Sequence, residues 1–303
     1  MYRLKPIPKA RIWGTERLQE YLSVQTNQKI GSIYSASGIK EIDNFVDATE
    51  NQTLGELVAK DPAQFGLRKG EEFPLIISMT AADEDLSIQV HPTDHFAREI
   101  ENKSYGKSEA WFFISPPLSG SIIAGQTAKS ISGFRAAVTQ GSYEKILGRE
   151  NVSKEEMVYI PAGTIHALTK GSLVYEIQQA TDITYRFYDY DRLDLDGNKR
   201  ELHTEKALET TNFQRTVSKK AFPLEQTLDV REFKVKRTIL QEQYRNDEEV
   251  AQVITILAKN STINCKEVTK GQSLIILPKE QIMIKTPVEC MIATPKLYWR
   301  DEI

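Results

Sequence analysis

Four side chains of metal-ligand type stand in two separated stretches of this sequence. In residues 86–114, LSIQVHPTDHFAREIENKSYGKSEAWFFI, Gln89 and His91 lie two apart, so a strand turns both to the same face. Lys107 and Glu109 share a face by the same rule, after an intervening helix and turn. In residues 158–192, VYIPAGTIHALTKGSLVYEIQQATDITYRFYDYDR, His166 follows the turn Pro161-Ala162-Gly163. Two imidazoles, one carboxylate and an amide oxygen, with no thiolate, form an N/O ligand set. Such a set suits an open catalytic zinc better than a closed structural one. Gln89, His91, Glu109 and His166 are therefore expected to hold one Zn²⁺ per chain.

Each of these residues has a plainer explanation to compete with. His91 precedes Pro92, which pushes it toward extended geometry and lets Pro92-Thr93 open a helix. The spacing from His91 to His95 is then misleading, because the two fall on different elements. Glu109 sits between Lys107 and Trp111 on an aromatic strand, where an unpaired charge is expensive. A salt bridge to Lys107 is the alternative to ligation. His166 could serve the turn alone, and Gln89 could donate from behind the ligands. Arg186 shares a face with Thr184 and Tyr188 and competes with ion pairing to Asp182, Asp189 or Asp191. Glu176 and Gln178 share a face and either support the ligands or reach a substrate. His203, among polar residues, reads as surface.

Four motifs in order, Q-V-H-P, G-K-x-E-A-W, P-A-G-T-x-H-A and E-I-Q-Q-x-x-D-x-T-Y-R-x-Y-D-Y-D-R, resemble type I mannose-6-phosphate isomerases, close to the short bacterial form. P-A-G-x-x-H alone is similar to the second cupin motif. The resemblance is closest over residues 74–192 and looser elsewhere. It implies a zinc-dependent aldose–ketose isomerase that interconverts mannose 6-phosphate and fructose 6-phosphate through an enediolate, with zinc as Lewis acid. It also implies that Arg186 is catalytic. With a pKa above ~12, arginine is a poor proton acceptor, so its role is a fixed positive charge beside the enediolate. Lys107 is a candidate base if desolvation and the metal lower its pKa, and Glu176 or a metal-bound water are the others. An isomerase of a related aldose phosphate, or a non-catalytic sugar-phosphate-binding cupin, are the competing functions. Two motifs depart from the family: its W-G-G is Trp13-Gly14-Thr15 here, and its G-E-x-W-x-x-S is Gly31-Ser32-Ile33-Tyr34-Ser35-Ala36-Ser37. Both bear on N-terminal packing and the pocket rim.

The elements that must position these residues read as mainly β. Runs such as PLIISMTA, AWFFIS, SIIAG, EMVYIP, LVYEIQ and TYRFYDY have strand length and β-branched or aromatic content. Helices are expected over residues 53–61, where Thr53 and Glu56 form a capping box, over 93–101, and over part of 130–147. A β-sandwich or jelly-roll core with inserted helices follows over residues 1–210, and the resemblance implies that it is of cupin type. After residue 210 short strands recur with almost no helix signal. There GQSLIILPKEQ echoes EEMVYIPAGTI but lacks its Gly and His, and no histidine follows His203. Residues 211–303 are accordingly expected to form a second, smaller cupin-like β domain without a metal site.

Composition narrows the partners. With 27% charged and 40% hydrophobic residues in 303, the chain is of ordinary globular type. A net charge of −3 and no basic run argue against nucleic acid. No segment approaches the ~20 apolar residues of a membrane helix, and MYRLKPIPKARIWG has no signal-peptide core. Cys265 and Cys290 are too few for a disulfide framework. A cytoplasmic monomer or homodimer acting on a small sugar phosphate is the expectation. No nicotinamide or flavin is required, and no G-x-G-x-x-G is present.

Overall fold

Side-chain alternation along the strands shows how the layers stack. In Glu109–Ser115, Ala110 and Phe112 point into one core, whereas Trp111 and Phe113 point into another. The strand is thus covered on both faces, which accounts for its nearly unbroken apolar run. In Leu75–Ala81 and Leu173–Gln179 the same split occurs: Ile77, Met79, Tyr175 and Ile177 join the first core, while Ser78, Thr80, Glu176 and Gln178 face the other way.

A computed structural model describes residues 1–22, 26–47 and 51–300. The chain is mainly β, in the expected cupin-type sandwich. A seven-stranded antiparallel sheet places Ser218–Ala221, Glu156–Ile160, Glu109–Ser115, Leu173–Gln179, Leu75–Ala81, Ile30–Ala36 and Ile7–Thr15 side by side. Facing it is a five-stranded sheet: Tyr185–Tyr188, Ile88–Val90, His166–Ala167, Ser121–Gln126 and Leu147–Asn151. The outer face of that second sheet packs Ile88, Val90, Tyr185 and Phe187 against Phe134, Val138, Ala207 and Leu208 from two helices, Ile131–Thr139 and Thr204–Thr210.

The inserted helices begin where their caps predict. Leu54–Lys60 opens on Thr53, whose side chain accepts from Glu56 N–H while Glu56 accepts from Thr53 N–H, a complete capping box. Asp94–Glu101 opens on Thr93, so His91 directly follows the strand Ile88–Val90 and exposed His95 lies in the helix. The third expected helix is Ile131–Thr139, followed by a single 3₁₀ turn at Tyr143–Lys145.

A six-stranded sheet forms the C-terminal unit, with Phe233–Leu240 and Gln252–Ile256 flanking Val288–Pro295. One face, with Phe233, Val235, Val253, Ile275, Met291 and Ala293, packs into the core shared with the seven-stranded sheet. The other buries Ile254, Ile256, Leu274, Ile276 and Ile292 against two short ribbons. Strands cross between the units in both directions. Tyr2–Arg3 pairs with Leu274 and Ile275, and Ser218–Ala221 pairs with Glu156–Tyr159. No helix among the described residues is long and apolar enough to cross a membrane.

Candidate metal centre and its cleft

Register brings the ligand candidates together. Gln89 lies between His166 on one side and Arg186 on the other, each its direct cross-strand partner in the five-stranded sheet. Across the sandwich, Glu109 opens its strand beside Gln178 and Ile160. His91, Glu109 and His166 are each only 1% exposed. One ligand atom from each lies within 4.8 Å of the other two.

The ring nitrogens are sorted by their partners. His91 Nδ1 donates to the Ile183 carbonyl at 2.8 Å and His166 Nδ1 to the Thr164 carbonyl at 2.8 Å. With Nδ1 protonated, each Nε2 carries its lone pair inward. His91 Nε2 is 3.4 Å from Glu109 Oε2, and His166 Nε2 is 3.3 Å from Glu109 Oε1. Gln89 Nε2 faces His166 Nε2 at 3.5 Å, with its Oε1 on Ser87 Oγ. A half-turn of the amide exchanges the two and puts the carbonyl oxygen on the cluster. Trp111 stands edge-on to the His166 ring at 5.5 Å and closes one side.

These residues fit a divalent cation. His91 Nε2 and both Glu109 oxygens are buried without a hydrogen-bond partner among the described residues. A buried carboxylate left so poorly compensated costs several kcal/mol, roughly the effective desolvation penalty per ion. Lys107 Nζ, 3.6 Å from Glu109 Oε2, is one cation for that charge but satisfies neither histidine. Burial lowers the pKa of both imidazoles, His91 well below its usual value, and so keeps them in the neutral form that ligates. The salt bridge to Lys107 and ligation are therefore compatible in this geometry.

A cleft of about 440 Å³ opens beside the cluster, lined by Gln89, Lys107, Glu176, Gln178, Thr184 and Arg186 among others. Arg186 bonds the Glu201 carbonyl at 3.4 Å and makes no salt bridge among the described residues. Two of its expected competitors are engaged elsewhere, since Asp189 holds Arg192 at 2.7 Å and also Arg200, and Asp191 holds Lys199, while Asp182 lines the same cleft. Burial and then Arg200 lower the Arg186 pKa against the opposing pull of Asp189 and Asp182. For Lys107, burial favours the neutral amine, but Glu109, Glu176 and Asp182 outweigh it and raise the pKa. Glu176 moves up, through burial and then Glu109, although Ser78 and Thr80 donate to it at 2.9 Å and Trp111 Nε1 at 3.4 Å.

Two arginines of the cleft escaped the sequence reading. Arg11 lines the cleft beside Trp13 and, among the described residues, forms no salt bridge. Its position two before Trp13 on one strand was the available signal. The departure motifs meet here: a Cβ on Gly31 would lie 2.5 Å from both Arg11 Cγ and Trp13 Cζ3, so glycine lets these side chains lie flat on the neighbouring strand. Arg200, from the segment after the Asp189 corner, is the second. His203 is half-buried rather than surface: its backbone N–H donates to the Arg186 carbonyl at the start of the helix Thr204–Thr210.

Fold and cluster define a cupin-type protein with a two-histidine, one-carboxylate candidate metal centre at the edge of an open cleft. Residues 1–109 match the family model for the catalytic domain of type I phosphomannose isomerase. The chain is 37% identical over 211 residues to a probable mannose-6-phosphate isomerase, GmuF, of Bacillus subtilis (strain 168). It is 37% identical over 207 residues to the mannose-6-phosphate isomerase ManA of the same organism. These alignments cover 68% of this chain and 66% of each relative, just under two thirds of the relatives' length. The solved mannose 6-phosphate isomerase from Bacillus subtilis superposes with a TM-score of 0.81 at 28% identity, over 97% of this chain and 99% of that one. A putative mannosephosphate isomerase from Archaeoglobus fulgidus gives 0.79 at 15% identity over 98% of each chain, a likeness of fold. The chain belongs to the type I phosphomannose isomerase family.

Proposed function

We propose that this cleft interconverts mannose 6-phosphate and fructose 6-phosphate, with one zinc ion held by Gln89, His91, Glu109 and His166. The observation that carries this reading is the set of buried, unpartnered ligand atoms at the edge of a cleft that also presents Lys107 and Arg186. When bound, the metal would supply a Lewis acid able to polarise the substrate's carbonyl oxygen.

The remaining chemistry belongs to the chain. The reaction moves one proton from carbon 2 to carbon 1 and a second from the oxygen on carbon 2 to the oxygen on carbon 1, and the enediolate formed between the two carbon transfers is negatively charged. Arg186 supplies a fixed cation that forms no salt bridge among the described residues, and Lys107, 3.6 Å from Glu109 Oε2, supplies a second. Glu176 carries the proton. Its carboxylate reaches the cleft, and burial beside Glu109 makes it more basic, as a general base requires. Arg11 is a further cation lining the cleft that forms no salt bridge among the described residues, which suits a phosphate dianion.

The test is a panel of aldose and ketose phosphates assayed on metal-replete protein, with metal content measured alongside. One zinc per chain and highest turnover with mannose 6-phosphate are expected. Chelation should abolish activity and Zn²⁺ restore it. Full activity in metal-free protein would overturn the metal assignment. Preference for another aldose phosphate would overturn the substrate assignment, and binding without turnover would leave a sugar-phosphate-binding cupin.

A further inference from the structure

Ser108 lies between Lys107 and Glu109, and each of its polar groups is committed inside the protein. Its N–H donates to Gln179 Oε1 at 2.7 Å, and its carbonyl accepts from Gln179 N–H at 3.2 Å. Its hydroxyl donates to Glu232 Oε1 at 3.1 Å and accepts from Ala162 N–H at 3.1 Å. Ala162 belongs to the turn that delivers His166. Glu232, 5% exposed, comes from 124 residues away in the C-terminal unit, where its second oxygen accepts from Tyr159 OH at 2.8 Å.

Gln179 extends the network to the third ligand-bearing segment. Its Nε2 donates to Asp94 Oδ1 at 2.8 Å and bonds Tyr298 OH at 2.6 Å. Asp94, three residues beyond His91, also accepts from Gly106 N–H at 2.8 Å, Tyr298 OH at 3.0 Å and Arg231 Nη2 at 2.9 Å. The guanidinium of Arg231 lies over the Tyr298 ring, 4.1 Å from its centre. The segments themselves touch: Lys107 N–H donates to the Pro92 carbonyl, and Gly163 N–H to the His91 carbonyl. A Cβ on Gly106 would lie 2.5 Å from the Pro92 carbonyl oxygen, so only glycine allows this approach. None of Asp94, Ser108, Gln179, Glu232 or Tyr298 lines the cleft.

We propose that Glu232 and Tyr298, both from the C-terminal unit, are positioning residues for the metal centre, acting through Ser108, Gln179 and Asp94. The proposal rests on the reading of His91, Glu109 and His166 as metal ligands. The three ligand-bearing segments come from distant parts of the chain, and the two C-terminal side chains bridge all three. Small displacements of a ligand set alter metal affinity, and partners behind the ligands typically change it ~10–100-fold. The C-terminal unit, with no ligand of its own, thereby sets the geometry of the site.

The experiment uses the full chain with Co²⁺ as probe, because its visible absorption reports coordination geometry. Co²⁺ affinity and spectrum are measured for wild type, Glu232→Gln and Tyr298→Phe, with folding checked by circular dichroism. Both variants are expected to fold, to bind Co²⁺ about 10-fold or more weaker, and to show shifted absorption bands. With mannose 6-phosphate, kcat should fall while KM holds. Folded variants with wild-type cobalt affinity and spectrum would overturn the proposal and leave these bonds as interface packing. Should Glu232→Gln fail to fold, Tyr298→Phe decides alone, since it removes a single hydroxyl. A wild-type chain that binds no Co²⁺ overturns the metal reading itself, an outcome distinct from variant and wild type binding alike.

Discussion

Arg186 and Glu176 approach the cleft from opposite sheets, and their surroundings assign them different work. Arg186 bonds a single carbonyl and no carboxylate, so its charge is available to a developing oxyanion. Arg186→Lys keeps the charge but loses the planar donor fork. It should lower kcat and kcat/KM together, by roughly 10²–10³ as for removal of one oxyanion donor. Metal content and melting temperature should hold; near-normal kcat in a destabilised protein would return Arg186 to a structural role. Glu176→Gln keeps the shape and the bonds from Ser78 and Thr80 but cannot accept a proton. A kcat loss of about 10²–10⁴ is expected, with metal stoichiometry unchanged. If kcat instead survives within a few-fold, Glu176 is only a counter-charge for Lys107.

At the scale of elements, the short 3₁₀ turn Tyr298–Arg300 holds Tyr298 against Asp94 and Gln179. Glu71 fastens that turn. Its carboxylate accepts from Arg300 Nε and Trp299 Nε1 at 2.9 Å, from Arg68 N–H at 2.7 Å, and from Arg300 Nη2. Burial pushes its pKa up, but these donors outweigh it and bring it from 4.5 to about 2. Because the folded value is depressed, the contribution is present above about pH 4.5 and is lost as pH falls toward about 2. Partial exposure screens it to well under the ~1.4 kcal/mol per unit that the shift alone would give. Denaturation midpoints followed from pH 7 down to 3 should fall, and Glu71→Gln should flatten the decline. Coincident slopes for the two proteins would show that this clamp carries no pH-dependent stability.

For the whole molecule, the exchanged strands and the shared core decide how it unfolds. A division near residue 210, as composition suggests, leaves Ser218–Ala221 and Glu232 on the far side although both bond the first unit. We propose that the two units, 1–210 and 211–303, fold as one cooperative body. Thermal or urea unfolding of the apoprotein should then give a single transition, superimposable by tryptophan fluorescence and far-ultraviolet circular dichroism. Two of the three tryptophans, Trp13 and Trp111, report from the first unit, and Cys290, buried in the C-terminal unit, offers a thiol-labelling probe of the second. Labelling of Cys290 well before the fluorescence change would show separate folding.

Local pattern was enough for several features. Thr53 with Glu56 marked a helix start, Pro92 ended the strand carrying Gln89, and two-residue spacing put Gln89 with His91. Those features depend on neighbours within a few residues, so the chain itself specifies them. The cluster of His91, Glu109 and His166 was legible by a different route, ligand chemistry joined to resemblance to a family, because nothing local relates residues so far apart. Tertiary structure alone decided the rest. The apolar run in Glu109–Ser115 could not reveal that Phe112 and Trp111 enter different cores, since a doubly covered strand has no polar face to betray its layers. Burial alone predicts a lowered pKa for Lys107, but Glu109, Glu176 and Asp182, converging from three segments, reverse the direction. Asp189 lies within easy reach of Arg186 along the chain, yet the fold gives that carboxylate to Arg192 and Arg200. Glu232 and Tyr298 gave no signal at all, because a side chain that acts across more than a hundred residues is defined by what the fold brings to it.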